Sequence, residues 1–140
     1  MTDSLLYSET AEHLANLDHC ETRDLRRAYL AIMLAAERAG YRTQPRPKGD
    51  IRELQVRDTD DAQHFAIIVN RDNLLFCLRQ PALRSDPELA DKLRAKYADL
   101  LLSDAGGSSS EVRIPIRSER DADDIAEWLF TPGYEARRSA

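Results

Sequence analysis

The chain has 140 residues, a formal net charge of −5, 42% hydrophobic residues and 32% charged ones. That length suits one domain with a core of its own, and that composition excludes wholesale disorder. The acidic balance favours solubility and gives no global attraction for nucleic acid, although a local basic patch stays open.

The start, Met1-Thr2-Asp3-Ser4, has neither the basic nor the apolar region of a signal peptide. No apolar run approaches the ~20 residues that span a bilayer. The expectation is a cytoplasmic protein with no membrane contact. Cys77 sits in an apolar run and reads as a small buried hydrophobe. Cys20 lies in a polar stretch, and two scattered cysteines form no disulfide framework.

Ser4 to Leu17 reads as a short acidic helix with Leu5, Leu6, Leu14 and Leu17 as its apolar positions. Arg23 to Ala39 is a stronger one. Leu25, Tyr29, Ile32, Met33 and Ala36 follow helical spacing, and Leu30 and Leu34 widen the stripe. Thr22 can cap its start, and Gly40 can take the left-handed conformation that ends it. The breadth of that stripe suggests a homodimer through the N-terminal helices.

Tyr41 to Gly49 carries Pro45, Pro47 and Gly49 among basic residues, and it reads as an exposed linker. Ile51 to Arg57 is the first expected strand. His64 to Asn70 and Asn73 to Gln80 alternate as a hairpin, with Arg71-Asp72 at its tip. Both faces of that hairpin are apolar, so both should be covered. The C-terminal helices should cover one, and the N-terminal pair or a second subunit the other. Ser85 and Glu88 form a capping box for a helix with Leu89, Leu93, Tyr97 and Leu100 on its buried side. Asp104 to Ser110 is a loop. Val112, Ile114 and Ile116 mark a strand that Pro115 places at an edge. Ser118 and Asp121 cap the last helix, which carries Ile125, Trp128 and Leu129 and stops at Thr131-Pro132-Gly133.

The expected fold is therefore α+β in the order ααβββαβα, with a four-stranded, mainly antiparallel sheet. One domain spans 1–133, made of a helical pair (1–40), a basic linker (41–50) and a βββαβα unit (51–130). Residues 134–140 form a tail.

No catalytic residue, metal ligand set or cofactor motif emerges. His13, His19 and Cys20 have no further ligands nearby in sequence and read as exposed residues. His64 reads as a satisfied strand-end histidine. Asp58, Asp60 and Asp61 read as a solvated turn. Asp121, Asp123 and Asp124 suit the first turn of a helix. Gly106-Gly107-Ser108-Ser109-Ser110 lacks the lysine and the following helix of a phosphate cradle.

The basic residues carry more. Arg42, Arg46, Lys48, Arg52, Arg71, Arg79, Arg94 and Lys96 are the candidate contacts to nucleic acid or to a partner.

Residues 64–83, His-Phe-Ala-Ile-Ile-Val-Asn-Arg-Asp-Asn-Leu-Leu-Phe-Cys-Leu-Arg-Gln-Pro-Ala-Leu, are continued by Glu111-Val112-Arg113-Ile114 and by Trp128-Leu129-Phe130. This half of the chain resembles a small bacterial domain associated with restriction and phage-defence proteins. The shared pattern is a hairpin ending in Leu-Arg-x-Pro, a helix, a strand and a helix ending in Trp-Leu. The resemblance implies work beside nucleic acid and transfers no catalytic residue.

Two functions follow as expectations. One is a non-enzymatic accessory protein of a DNA-related system, touching nucleic acid or a protein that handles it. The other is a protein-binding module, such as an inhibitor or immunity factor, without nucleic-acid contact.

Overall fold

The computed structural model describes residues 2–46, 51–79, 88–96, 102–103 and 112–130. The elements are α1 (Thr2–His19), α2 (Arg23–Arg38), β1 (Arg42–Pro45), β2 (Arg52–Arg57), β3 (Gln63–Val69), β4 (Leu74–Leu78), α3 (Leu89–Lys96), β5 (Leu102–Ser103), β6 (Val112–Ile116) and α4 (Glu119–Leu129).

Local chemistry sets the ends of α2. Thr22 has extended backbone, and its Oγ1 accepts the Leu25 N–H at 3.1 Å. Gly40 follows the last turn at φ +97°, the left-handed region, and the Tyr41 N–H returns to Ala36 O at 3.0 Å. Ser118 caps α4 by accepting the Asp121 N–H, and Asp121 Oδ2 accepts the Arg117 N–H in return. The hairpin tip closes as expected, with Asn70 N–H bonded to Asn73 O at 3.0 Å.

Among the described residues the sheet has six antiparallel strands in the order β1-β2-β3-β4-β6-β5, not four. The first extra strand comes from the supposed linker. Arg42 to Pro45 pairs with Leu54 to Arg57 along the sheet edge. Pro45 is its last residue, where a missing donor is tolerated. Lys48 and the rest of 47–50 lie outside the described residues. The second is β5, which pairs with Val112 and Arg113. So β6 is not an edge strand. Pro115 lies beyond the two residues that β5 reaches.

The register puts one set of side chains on one face: Leu54 opposite Ile67, Val56 opposite Phe65, Ile67 opposite Phe76 and Phe76 opposite Ile114. Leu25, Tyr29 and Ile32 of α2 and Ile125 and Leu129 of α4 join these in one buried cluster. The two helices lie side by side in the same direction. Asp24 accepts the Glu119 N–H at one end, and the Tyr41 and Phe130 rings meet at 5.6 Å at the other. Leu93 of α3 is in the same cluster, and Lys96 reaches Asp124 of α4 at 3.6 Å.

Of the two coverings expected for the opposite face, the N-terminal pair or a second subunit, the first is corrected for α2. Helices α2 and α4 share one face because both carry a single apolar stripe and pack against each other over the same strands. On the second face Ala66 and Cys77 are fully buried, and Glu53 and Gln55 nearly so. Leu14 is 60% exposed and Leu34 46%, so neither belongs to the core as expected, and Leu30 also surfaces. The capping Ser85, Tyr97, Leu100, the loop 104–110 and the stop at 131–133 lie outside the described residues, as do the side chains of Leu5, Leu6 and Leu89. Among the described residues no helix is long and apolar enough to cross a membrane.

Candidate functional site

Among the described residues the basic side chains named by the sequence do not form one surface. Arg42 Nη2 bonds Asp61 Oδ1 at 2.9 Å at the open end of β1. Arg46 is exposed just past β1. Arg79 reaches from the end of β4 to Glu53 on β2 at 2.8 Å. Lys96 faces Asp124. Arg94 lies on α3 with its side chain outside the described set.

Two of the eight do come together. Arg52 opens β2 opposite Val69, at the end of the sheet where the β3–β4 tip carries Arg71. The tip is held against the α1–α2 turn by a backbone bond, Glu21 N–H to Arg71 O at 2.8 Å. Arg52, Arg71 and Arg26 of α2 then line one cleft of about 410 Å³ with His19, Cys20 and the rim acids Asp18 and Glu21.

The three guanidinium groups are not equivalent. Arg52 Nη1 lies 3.7 Å from Glu12 and donates to Asn16 Oδ1 at 3.4 Å, so it pins α1. Among the described residues Arg26 donates only Nε, to Leu17 O at 3.2 Å, and its two terminal nitrogens bond none of them. Arg71 is exposed, and its side chain makes no bond among the described residues. Cys20 forms the floor. It is 1% exposed and its Sγ donates to Asn16 O. Burial raises its thiol pKa, opposed by the charge of Arg26, so the thiol is not activated as a nucleophile. Neither cysteine forms a disulfide.

A larger groove of about 650 Å³ runs between α1, α2 and β1. Its cations are engaged locally: Arg42 and Arg57 both approach Asp61. Its Thr43 hydroxyl donates to Glu37 at 3.0 Å.

His64 and His13 have internal duties. His64 is buried, and its Nε2 bonds Asp58 Oδ2 at 2.7 Å, which fits a satisfied strand end. Asp58 is more than a solvated turn residue. It also accepts the N–H groups of Asp60 and Ala62, which shapes the loop where Asp61 has φ 66°. Burial pushes the Asp58 pKa up, but the Ala62 N–H, the His64 bond and charge and the Asp60 N–H outweigh it, leaving the pKa lowered. His13 is not an exposed helix residue as expected. It is half-buried and bonds Tyr29 Oη at 2.8 Å. Among the described residues no three histidine, cysteine or acidic side chains group to hold a metal ion.

Arg26 escaped the sequence reading. On an amphipathic helix it looks like part of a solvated face, and only the docked hairpin tip encloses it. Its place in the first turn beside Cys20 was the available signal.

Comparison of the chain with protein-family models, with curated proteins and with solved structures found no match.

Proposed function

We propose that this is a non-enzymatic accessory binding protein that docks on another protein, taking up a carboxylate of that partner between Arg71 and Arg26. The carrying observation is that among the described residues these two side chains hold unengaged guanidinium nitrogens at one cleft, while Arg42, Arg52, Arg79 and Lys96 are paired with acids of the same chain. A guanidinium fork suits a planar carboxylate, which it can bind through two parallel bonds. A phosphate backbone needs a run of cations, and this cleft gathers only three arginines among the described residues, one of them paired with Glu12. The resemblance of residues 64–130 to a domain associated with restriction and phage defence supports a partner that itself handles nucleic acid.

Direct contact with nucleic acid is the second reading, favoured by the three arginines that share the cleft. Capture from the native host with wild-type protein should recover one stoichiometric partner, and Arg71→Glu and Arg26→Gln should each lose it. Duplex and single-stranded DNA should show no shift at low salt. A shift that weakens steeply with salt and disappears in Arg71→Glu would replace the first reading with the second. Recovery of no partner, or equal capture by the variants, would overturn the role of the cleft.

A further inference from the structure

A second surface, away from that cleft, carries an inference that does not depend on it. The outer sides of α2 and α4 form a shallow groove. Its floor is small: Ala31 and Ala35 from α2 and Ala126 from α4. Leu30, 37% exposed, and Leu34, 46% exposed, stand along it one helical turn apart. Two large apolar side chains beside a floor of methyl groups form a knob next to a hole, the relief that lets another helix approach closely.

The charges on the two banks differ in sign. The α2 bank carries Arg27 and Arg38, and the α4 bank carries Glu119 and Asp123. None of these four side chains is bonded to an opposite charge among the described residues. Arg27 is level with the acids, since Asp24, one turn earlier in α2, meets the Glu119 N–H.

We infer that a second copy of this chain occupies the groove, related by a twofold axis that runs along the helices. This operation lays α2 of one copy on α4 of the other. It sets Arg27 against Glu119 and Asp123 twice, and it places Leu30 and Leu34 over the partner's alanine floor. The alternative twofold axis, across the helices, lays α2 on an antiparallel α2. That brings Arg27 opposite Arg38, and like charges facing each other disfavour it. A symmetric interface must be self-complementary, and a basic bank beside an acidic bank meets that requirement in the first arrangement.

The test is sedimentation equilibrium of the full chain over a wide concentration range. Wild type should approach twice the chain mass, and Leu34→Glu should remain at the monomer mass. Arg27→Glu alone and Asp123→Arg alone should each weaken self-association by at least about tenfold. An equimolar mixture of those two chains should restore it as a heterodimer, because each reversed charge then faces its opposite. Far-UV circular dichroism checks each variant's fold, and Leu30→Gln replaces any that fails. A monomeric wild type, a dimer untouched by Leu34→Glu and Leu30→Gln, or no recovery in the mixture would each overturn the inference.

Discussion

Arg79 Nη2 donates to Glu53 Oε1 at 2.8 Å, and the Glu53 side chain is only 4% exposed. A carboxylate so deeply buried is tolerated because it is bonded, here also by Gln55 Nε2 at 3.4 Å. Breaking such a pair from one side leaves a charge uncompensated, whereas removing both partners does not. Arg79→Met should therefore destabilise the fold by about 3 kcal/mol, and Glu53→Met with Arg79→Met should recover most of that loss. Urea midpoints of the two variants decide it. Equal losses in the single and double variants would show that the cost does not come from a carboxylate left uncompensated.

The same pair marks where the sequence stops being readable. Period and capping identify α2, the β3–β4 hairpin and α4, because Leu25, Tyr29 and Ile32, or Phe65 and Ile67, need only local spacing to declare a buried side. Arg79 and Arg52 read as surface cations because their acids are remote in the chain, at Glu53 and Glu12. Only the strand register and the docking of α1 bring them together. Strand β1 was hidden by Pro45, which suits an edge strand as well as a linker. The cleft was half visible: Arg52 and Arg71 stood out as basic, but Arg26 did not.

Asp58 links the loop 58–62 to His64, and its lowered pKa fixes a pH dependence. A carboxylate whose folded pKa lies below its unfolded value stabilises fully above the unfolded pKa, about 4. That contribution disappears as pH falls through the lower folded value. Asp58→Asn should cost about 1–2 kcal/mol at neutral pH. It should also flatten the stability curve on the acid side, measured by thermal unfolding in a pH series. A mutant curve parallel to wild type below about pH 4 would remove Asp58 from the account.

Gly40 allows a clean backbone test. Nothing lies within 4 Å of the position a Cβ would take, so packing does not oppose a side chain there. The φ of +97° does. Gly40→Ala should lower stability by about 1 kcal/mol and Gly40→Asn by less, because asparagine tolerates left-handed backbone better. Equal losses would point to a different cause.

Tyr29 ties α1 to α2. Its hydroxyl accepts Asn16 Nδ2 at 3.0 Å and meets His13 Nδ1 at 2.8 Å, and Asn16 in turn receives Arg52. Tyr29→Phe keeps the ring but takes away the acceptor that buried Asn16 uses, at a cost of about 1–3 kcal/mol. The loss should appear first in α1, as faster hydrogen exchange at its amides than at those of α2. Burial, partly offset by the Asn16 bond, pushes the Tyr29 pKa up to about 12. For a phenol, a raised folded pKa means stability that is complete below the unfolded value, about 10, and lost as pH climbs from there. The wild type should therefore weaken more steeply than Tyr29→Phe above about pH 10. If both weaken alike, another group governs the alkaline limb, and the hydroxyl has only its hydrogen-bonding role.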